Sequence, residues 1–251
     1  MPHTAVPHDR IQADVALHLQ NLVLESGPVV DVLLSELARY AAATLGADGS
    51  QLVCGIRLDR HKKASVVAGS DPAAQLLDQL EGRFGGGPGM TAVHTHSTVN
   101  VPDLRGERLW PEYAAAAGNN GFLAVLSVPL KLEDGCRGVL NVYGREAGAF
   151  DRNAVAAADA LVQQASKGLS LVLRMAKLED TREGMSAAMQ SRTVIDLATG
   201  AIMAQNRCGQ DSAFRVLQKA SNTRNMKLRD VAAAVVASIA GGAKTFTYFD
   251  E

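Results

Sequence analysis

All eight prolines lie between Pro2 and Pro129, and none follows. Proline removes a backbone donor and clashes with the preceding turn, so its absence leaves the second half of the chain free to run as uninterrupted helix. Within that half Val155, Val162, Leu169 and Ala176 recur every seven residues, with Ala158, Ala165 and Val172 between them. Such an a/d stripe has two readings: it merely packs onto the chain's own sheet, or the helix begins on the sheet and leaves it to pair with a second copy. We expect the second, a connecting coiled-coil helix over residues 151–190 with Val155, Val162, Leu169, Val172 and Ala176 as a homodimer seam.

Upstream the period changes. Ile11–Leu24 reads as an N-terminal helical segment (residues 1–24), and Pro28–Leu45 as a second helix with proline in its first turn and Gly46 past its end. Gln51–Arg57 and Ala64–Ala68 are short β-rich runs joined by the polar Leu58–Lys63. Gly121–Leu130 and Gly138–Tyr143 flank the turn Glu133-Asp134-Gly135 and predict a central antiparallel pair. Helical spacing returns over Asp71–Leu80, near Met90–His94 and near Pro111–Gly118, with a strand near Val99–Val101 and a Gly-rich loop over Glu81–Gly89. This order predicts an α+β fold, an antiparallel sheet with flanking helices over residues 25–175.

The longest apolar runs, Phe122–Leu130 and Val231–Ala240, are half the ~20 residues that a bilayer span needs. The N-terminus lacks the basic-then-apolar pattern of a signal peptide. We therefore expect a cytoplasmic protein with no membrane partner. Cys54, Cys136 and Cys208 form neither a disulfide framework nor a C-x-x-C pair. The net charge of −1 conceals an asymmetry: residues 1–185 carry −4, residues 186–240 carry +4. A small basic module follows a larger acidic one.

That module, residues 186–240, splits into helical segments over Ser191–Asn206, Asp211–Ser221 and Leu228–Ile239, each with one apolar face. Cys208-Gly209 is expected to end the first by supplying a left-handed residue, and Phe214 is expected in the core. Arg215, Lys219 and Asn222 share one stripe of the second segment; Arg224, Asn225, Lys227 and Arg229 follow, and Arg192, Gln205 and Arg207 lie on the first segment or just beyond it. Two readings stay open: an ordinary solvated face, or a nucleic-acid surface whose cations neutralise phosphate and whose amides reach base edges.

The run from Arg192 to Cys208 (RTVIDLATGAIMAQNRC), then Ala213-Phe214, Leu217, Ala220-Ser221, Arg224-Asn225 and Lys227 to Ala232 (KLRDVA), resembles an ANTAR domain over its whole length. The resemblance implies a three-helix RNA-binding module that stabilises tandem hairpins in nascent transcripts, so that a terminator cannot form. Many ANTAR sequences carry Lys between the Ala and Gly of the first helix; Thr199 occupies that contact position here, and Ala198 and Gly200 read as packing positions. Gly69-Ser-Asp-Pro, Gly87-Pro-Gly, Val101-Pro-Asp-Leu, Trp110-Pro-Glu-Tyr-Ala-Ala-Ala-Ala, Leu126-Ser-Val-Pro-Leu and Gly138-Val-Leu-Asn-Val-Tyr are similar to GAF sensor domains. Where many such relatives have Cys after Gly87-Pro88, this chain has Gly89.

The resemblance implies a signal-responsive antiterminator whose dimer grips two RNA stem-loops at once, each raising the effective concentration of the other's site. Two alternatives remain: the helical module as a protein-interaction unit without RNA binding, or a GAF-fold thiol-dependent reductase, which needs two thiols within disulfide reach. We expect no enzyme and find no catalytic triad pattern. No cofactor is evident, and a small-molecule effector or a signalling protein is the expected input. A candidate pocket lies between sheet and connecting helices near Phe84, Met90, Trp110, Tyr113, Phe122 and Tyr143, residues that also suit a packed core. His94 and His96 have no third ligand nearby, so no metal site is expected. Gly85-Gly86-Gly87 follows no strand and lacks a G-K-S/T ending, which argues against a P-loop. Arg60-His61-Lys62-Lys63 reads as a solvated hairpin turn, and Phe246, Tyr248 and Phe249 of the tail 241–251 are docking candidates.

Overall fold

A computed structural model describes residues 30–46, 49–60 and 63–239. The expected helix at Ile11–Leu24, the centre of the 60–63 turn and the tail lie outside the described residues. The chain divides into two compact units, residues 1–176 and 177–251.

In the first unit the order is α1 (Val30–Leu45), β1 (Val53–Asp59), β2 (Val66–Gly69), α2 (Pro72–Phe84), α3 (Pro88–Thr95), β3 (Val99–Val101), a 3-10 turn at Leu104–Gly106, α4 (Pro111–Asn119), β4 (Ala124–Leu130) and β5 (Arg137–Gly144). Helix α5 (Arg152–Asn206) contributes to both units. The five strands form one antiparallel sheet in the order β2-β1-β5-β4-β3, so the fold is α+β as expected. The Gly-rich segment is shorter than expected: α2 continues to Phe84 and α3 begins at Pro88.

Side chains alternate across a strand, and here the two sheet faces differ in chemistry. Cys54, Ile56 and Leu58 of β1, Ala124, Leu126, Val128 and Leu130 of β4, and Leu140 and Val142 of β5 share one apolar cluster with α1 and the first part of α5. On the other face Val125 and Tyr143 join Leu77, Tyr113, Ala117 and Phe122. The centre of that second face is small and polar. Gly55, Asn141 and Ser127 lie side by side across β1, β5 and β4.

The heptad stripe is not a seam between chains. Ala158, Val162, Ala165, Leu169 and Val172 are buried in the apolar cluster of their own sheet, and Val155 and Ala176 pack against its edge. Polar contacts fix the same segment: Thr98 donates to Asp159 at 2.9 Å, and the Ser166 hydroxyl accepts from the Lys131 N–H at 3.0 Å while donating to the Val162 carbonyl at 2.7 Å. A stripe of small and branched residues fits a flat sheet as well as it fits another helix. Sequence period does not distinguish the two partners.

In the second unit α6 (Gln210–Arg224) and α7 (Leu228–Ile239) join the C-terminal part of α5 around Ala198, Ile202, Ala213, Leu217, Val231 and Ala232. The first helical segment of this module is the continuation of the connecting helix, since no residue between Arg152 and Asn206 breaks it. The break falls on Arg207, at φ 50°, rather than on Gly209. The Cys208 N–H returns to the Met203 carbonyl at 3.4 Å; at the end of α6, Asn225 at φ 49° and the Met226 N–H to the Ser221 carbonyl at 3.1 Å repeat the arrangement. This is the hydrogen-bonded left-handed end that many helices adopt, built here without glycine.

If the stripe is intramolecular, Leu169→Ala should destabilise the first unit by about 2–5 kcal/mol, the cost of emptying a buried leucine site. Thermal unfolding followed at several protein concentrations checks this: the loss should be independent of concentration, whereas a residue in a dimer seam would lose more stability on dilution.

Candidate functional site

The second unit carries an exposed set of cations. Arg192, Gln205, Arg207, Arg215, Lys219, Asn222, Arg224, Asn225, Lys227 and Arg229 are all exposed. Gln205 and Arg207 sit beside the N-terminal end of α6, and Arg224, Asn225 and Lys227 beside its C-terminal end, roughly 20 Å away along the helix. Arg215, Lys219 and Asn222 run between them. Arg207, Lys219, Arg224 and Lys227 form no ion pair among the described residues, whereas Arg229 lies 3.2 Å from Asp230. Arg192 lies roughly 20 Å back along α5 and 3.8 Å from Asp196, so it stands apart from the rest.

Three expectations in this unit need correction. Thr199 is 4% exposed, and its hydroxyl donates to the Ile195 carbonyl at 2.7 Å, so it cannot meet a ligand at the surface. A hydroxyl one turn above a carbonyl closes this bond locally and lets a polar residue enter a helical core. Gly200 is exposed and a Cβ there would meet nothing, so it is no packing position; Ala198, fully buried, is one. Phe214 is 38% exposed and does not belong to the helical core, which Ala213 and Leu217 fill instead.

In the first unit the six pocket candidates line neither of the two surface grooves found among the described residues. Tyr113, Phe122 and Tyr143 are fully buried core residues, with the Phe122 and Tyr143 rings 5.9 Å apart and tilted by 58° and the Arg145 guanidinium 4.8 Å from the Phe122 ring centre. Trp110 packs at the edge of this cluster, Met90 is half-buried, and Phe84 points to solvent. Two surface grooves, of about 390 and 540 Å³, are lined by other residues: Leu104, Arg105 and Pro111 in one, Lys131, Lys167 and Arg174 in the other.

Beneath the aromatics lies a polar cluster that the sequence reading missed. Asp78 and Glu81 of α2 are both buried against the polar row of the sheet. Asp78 Oδ1 accepts from Asn141 Nδ2 at 2.8 Å and from the Tyr143 hydroxyl, while Asp78 Oδ2, Asn141 Oδ1 and Ser127 Oγ have no hydrogen-bond partner among the described residues. Burial pushes the Asp78 carboxyl up to about 7, against the hydrogen bonds from Tyr143 and Asn141; nearby Glu81 pushes it further up, and Arg57 pulls it back. The sequence signal was present: Ala74, Leu77, Asp78 and Glu81 are spaced i, i+3, i+4, i+7 on the buried face of α2.

Glu81 has a different role from Asp78. Its Oε1 accepts from the Gly89 N–H at 2.8 Å and its Oε2 from the Met90 N–H at 3.0 Å, which caps α3 in place of the missing side chain of Gly87. Burial raises its carboxyl, and these two backbone bonds oppose the rise. A Cβ on Gly87 would come within 2.5 Å of Glu81 Cγ, and one on Gly89 within 2.7 Å of the Asn141 amide. The glycines are there to admit an internal carboxylate. The anion position at this helix N-terminus is already filled.

The remaining candidates are accounted for locally. His94 donates from Nδ1 to the Met90 carbonyl at 2.7 Å, and His96 is the left-handed residue that ends α3. Cys54 lies opposite Val142, whereas Cys136 precedes the far end of β5, six residues or roughly 20 Å along the strand. Burial raises the Cys54 thiol far above its ordinary range, with Asp78 adding to the effect.

Residues 30–170 match the family model of the GAF domain, and residues 183–236 that of the ANTAR domain. Among solved structures, the GAF domain of a phosphoenolpyruvate-protein phosphotransferase from Coxiella burnetii is 15% identical with a TM-score of 0.50, over 71% of this chain and 99% of that one. A LuxR-family transcription factor, CepR2 of Burkholderia cenocepacia, gives 17% identity and a TM-score of 0.48 over 65% and 98%. Free methionine-R-sulfoxide reductase from Neisseria meningitidis gives 20% and 0.44 over 70% and 98%. At 15% identity the likeness to the Coxiella burnetii domain concerns the fold alone. No curated protein matches the sequence.

The raised Asp78 carboxyl sets the sign of a pH effect. A carboxyl held at about 7 when folded and near 4 when unfolded favours folding fully below pH 4 and loses that contribution as pH rises to about 7. Replacing Asp78 by Asn should therefore move the unfolding free energy in the variant's favour by a few kcal/mol between pH 5 and pH 8, with no further drift above. Chemical denaturation of both proteins across that range reads the difference.

Proposed function

Because the chain belongs to the GAF family and carries an ANTAR domain, we propose that it is a signal-responsive RNA-binding protein that prevents transcription termination by holding stem-loops of nascent transcripts. The observation that carries this reading is the set of exposed cations without ion pairs among the described residues along α6 and at its ends, with Arg207 at one end, Arg224 and Lys227 at the other and Lys219 between. Free cations release counterions when they meet phosphate, the main source of affinity for a polynucleotide. Exposed amides at Gln205, Asn222 and Asn225 stand among them. Acidic side chains at Asp211 and Asp230 are confined to the first turns of α6 and α7, where they complement the helix dipole.

In this reading the GAF domain is the input. A small molecule or a signalling protein shifts the balance of its polar core, and α5, whose first turns are packed into that domain, carries the change onward. Cys54 and Cys136 of the first unit are out of disulfide reach of each other, which favours a regulatory over an enzymatic role. No helix among the described residues is long and apolar enough to cross a membrane, and we place the protein in the cytoplasm with its RNA.

A second copy completes the scheme by presenting two modules to two stem-loops. The buried stripe cannot serve for pairing, but Leu171, Met175, Leu178, Met185 and Met189 of α5 remain exposed at spacings of four, three, seven and four. That is a heptad repeat on the free side of the helix, and a second α5 is the partner that such a repeat fits.

Crosslinking in cells followed by sequencing of the attached RNA tests the reading: paired stem-loops upstream of terminators are expected, and the absence of enriched RNA would overturn it. With purified protein, Lys219→Ala should lower affinity for an enriched stem-loop and flatten the log–log salt dependence by about 0.7 to 0.9. Leu178→Glu should convert dimer to monomer in sedimentation, where Leu169→Ala should not.

A further inference from the structure

We infer that the row Phe214, Gln218 and Asn222 on α6 reads an unstacked base of the RNA loop, the Phe214 ring stacking on it and the two amides bonding its edge. The inference rests on the RNA-binding reading above and adds where sequence discrimination resides. A lone exposed hydrophobe is ordinary, so the weight falls on its surroundings. Phe214 is the only aromatic residue described in the second unit, and the helical core closes without it. Gln218 and Asn222 follow at i+4 and i+8, which places them beside the ring on neighbouring turns. Both are exposed, and neither side-chain amide has a hydrogen-bond partner among the described residues. Each therefore keeps adjacent donor and acceptor atoms free, as a base edge requires.

The charges are arranged around this row. Arg215 and Lys219 lie one step further around the helix, with the Arg215 guanidinium held 3.2 Å from the Ser212 hydroxyl. Asp211, three residues before Phe214, is the acidic group on that side, and it keeps to the helix start. A phosphate backbone held by Arg215 and Lys219 would bring its bases toward the ring and amides. Hairpin loops offer such splayed bases, whereas paired stems do not.

The test uses the full-length protein, with the most enriched crosslinked stem-loop as probe, alongside the same stem with abasic nucleotides throughout the loop. Phe214→Ala should weaken binding to the intact loop by about 5- to 150-fold, the range for loss of one stacked base. It should leave affinity for the abasic loop and the salt dependence within twofold. Phe214→Tyr should restore binding and Phe214→Leu should not, while Gln218→Ala should reduce the preference between single-base loop variants. A loss below twofold, an equal loss on the abasic loop, or full rescue by leucine overturns the inference while leaving the RNA reading intact. Loss of helical content in Phe214→Leu would place the ring in the core and also overturn it. Wild-type protein that binds no stem-loop overturns both.

Discussion

The burial of one face of α5 in its own sheet is the constraint on which the rest of the molecule depends. Ala158, Leu161, Val162, Ala165, Leu169 and Val172 close an apolar face built by alternate residues of β1, β4 and β5. Each fully buried leucine or valine contributes about 1.5–3 kcal/mol. Without that cover the same strand residues would face water. The alanines matter as much as the larger residues, since they let the helix backbone approach the sheet. The helix that completes the core of the first unit runs on to Asn206 and supplies the first helix of the second unit.

The opposite sheet face makes a different compromise. Its centre holds two carboxyls, an amide and a hydroxyl where an ordinary domain would place aliphatic side chains. Glu81 is satisfied because α3 offers it two free N–H groups, and the glycines at 87 and 89 exist to let it in. Asp78 is only half satisfied, with one oxygen bonded and the other pressed against Gly55. An unpaired buried polar atom costs about 1–3 kcal/mol. Local rules are most often broken at functional sites, and this face, away from α5, holds unsatisfied polar atoms in the GAF domain.

The basic module achieves its economy in the reverse way. Its core is small, with alanines at 198, 213 and 232 allowing three helices to meet closely. The longer side chains are left to the surface. Thr199 is drawn into that core because its hydroxyl can bond the preceding turn, which takes it away from the surface and leaves the exposed cations to α6 and its two ends. Two of the residues nearest those ends, Arg207 and Asn225, are held in left-handed backbone that fixes where the neighbouring chain leaves.

Much of this was legible in the residues themselves. The strands at 53–59, 66–69, 124–130 and 137–144 follow from alternation and turn chemistry, the helices from apolar spacing, and the family from motif order, because these are local properties that each segment carries with it. Partners are not local. The heptad stripe specified a buried face but not whether a sheet or a second chain would bury it; the glycines of 85–89 specified close approach but not that a carboxylate from α2 would make it. Phe214 was apolar at helical spacing and looked like core, yet Ala213 and Leu217 had already filled the space. Sequence determined which surfaces must be covered and which elements would form, and tertiary structure alone decided what covers them, since each surface excludes water equally well against any partner that fits.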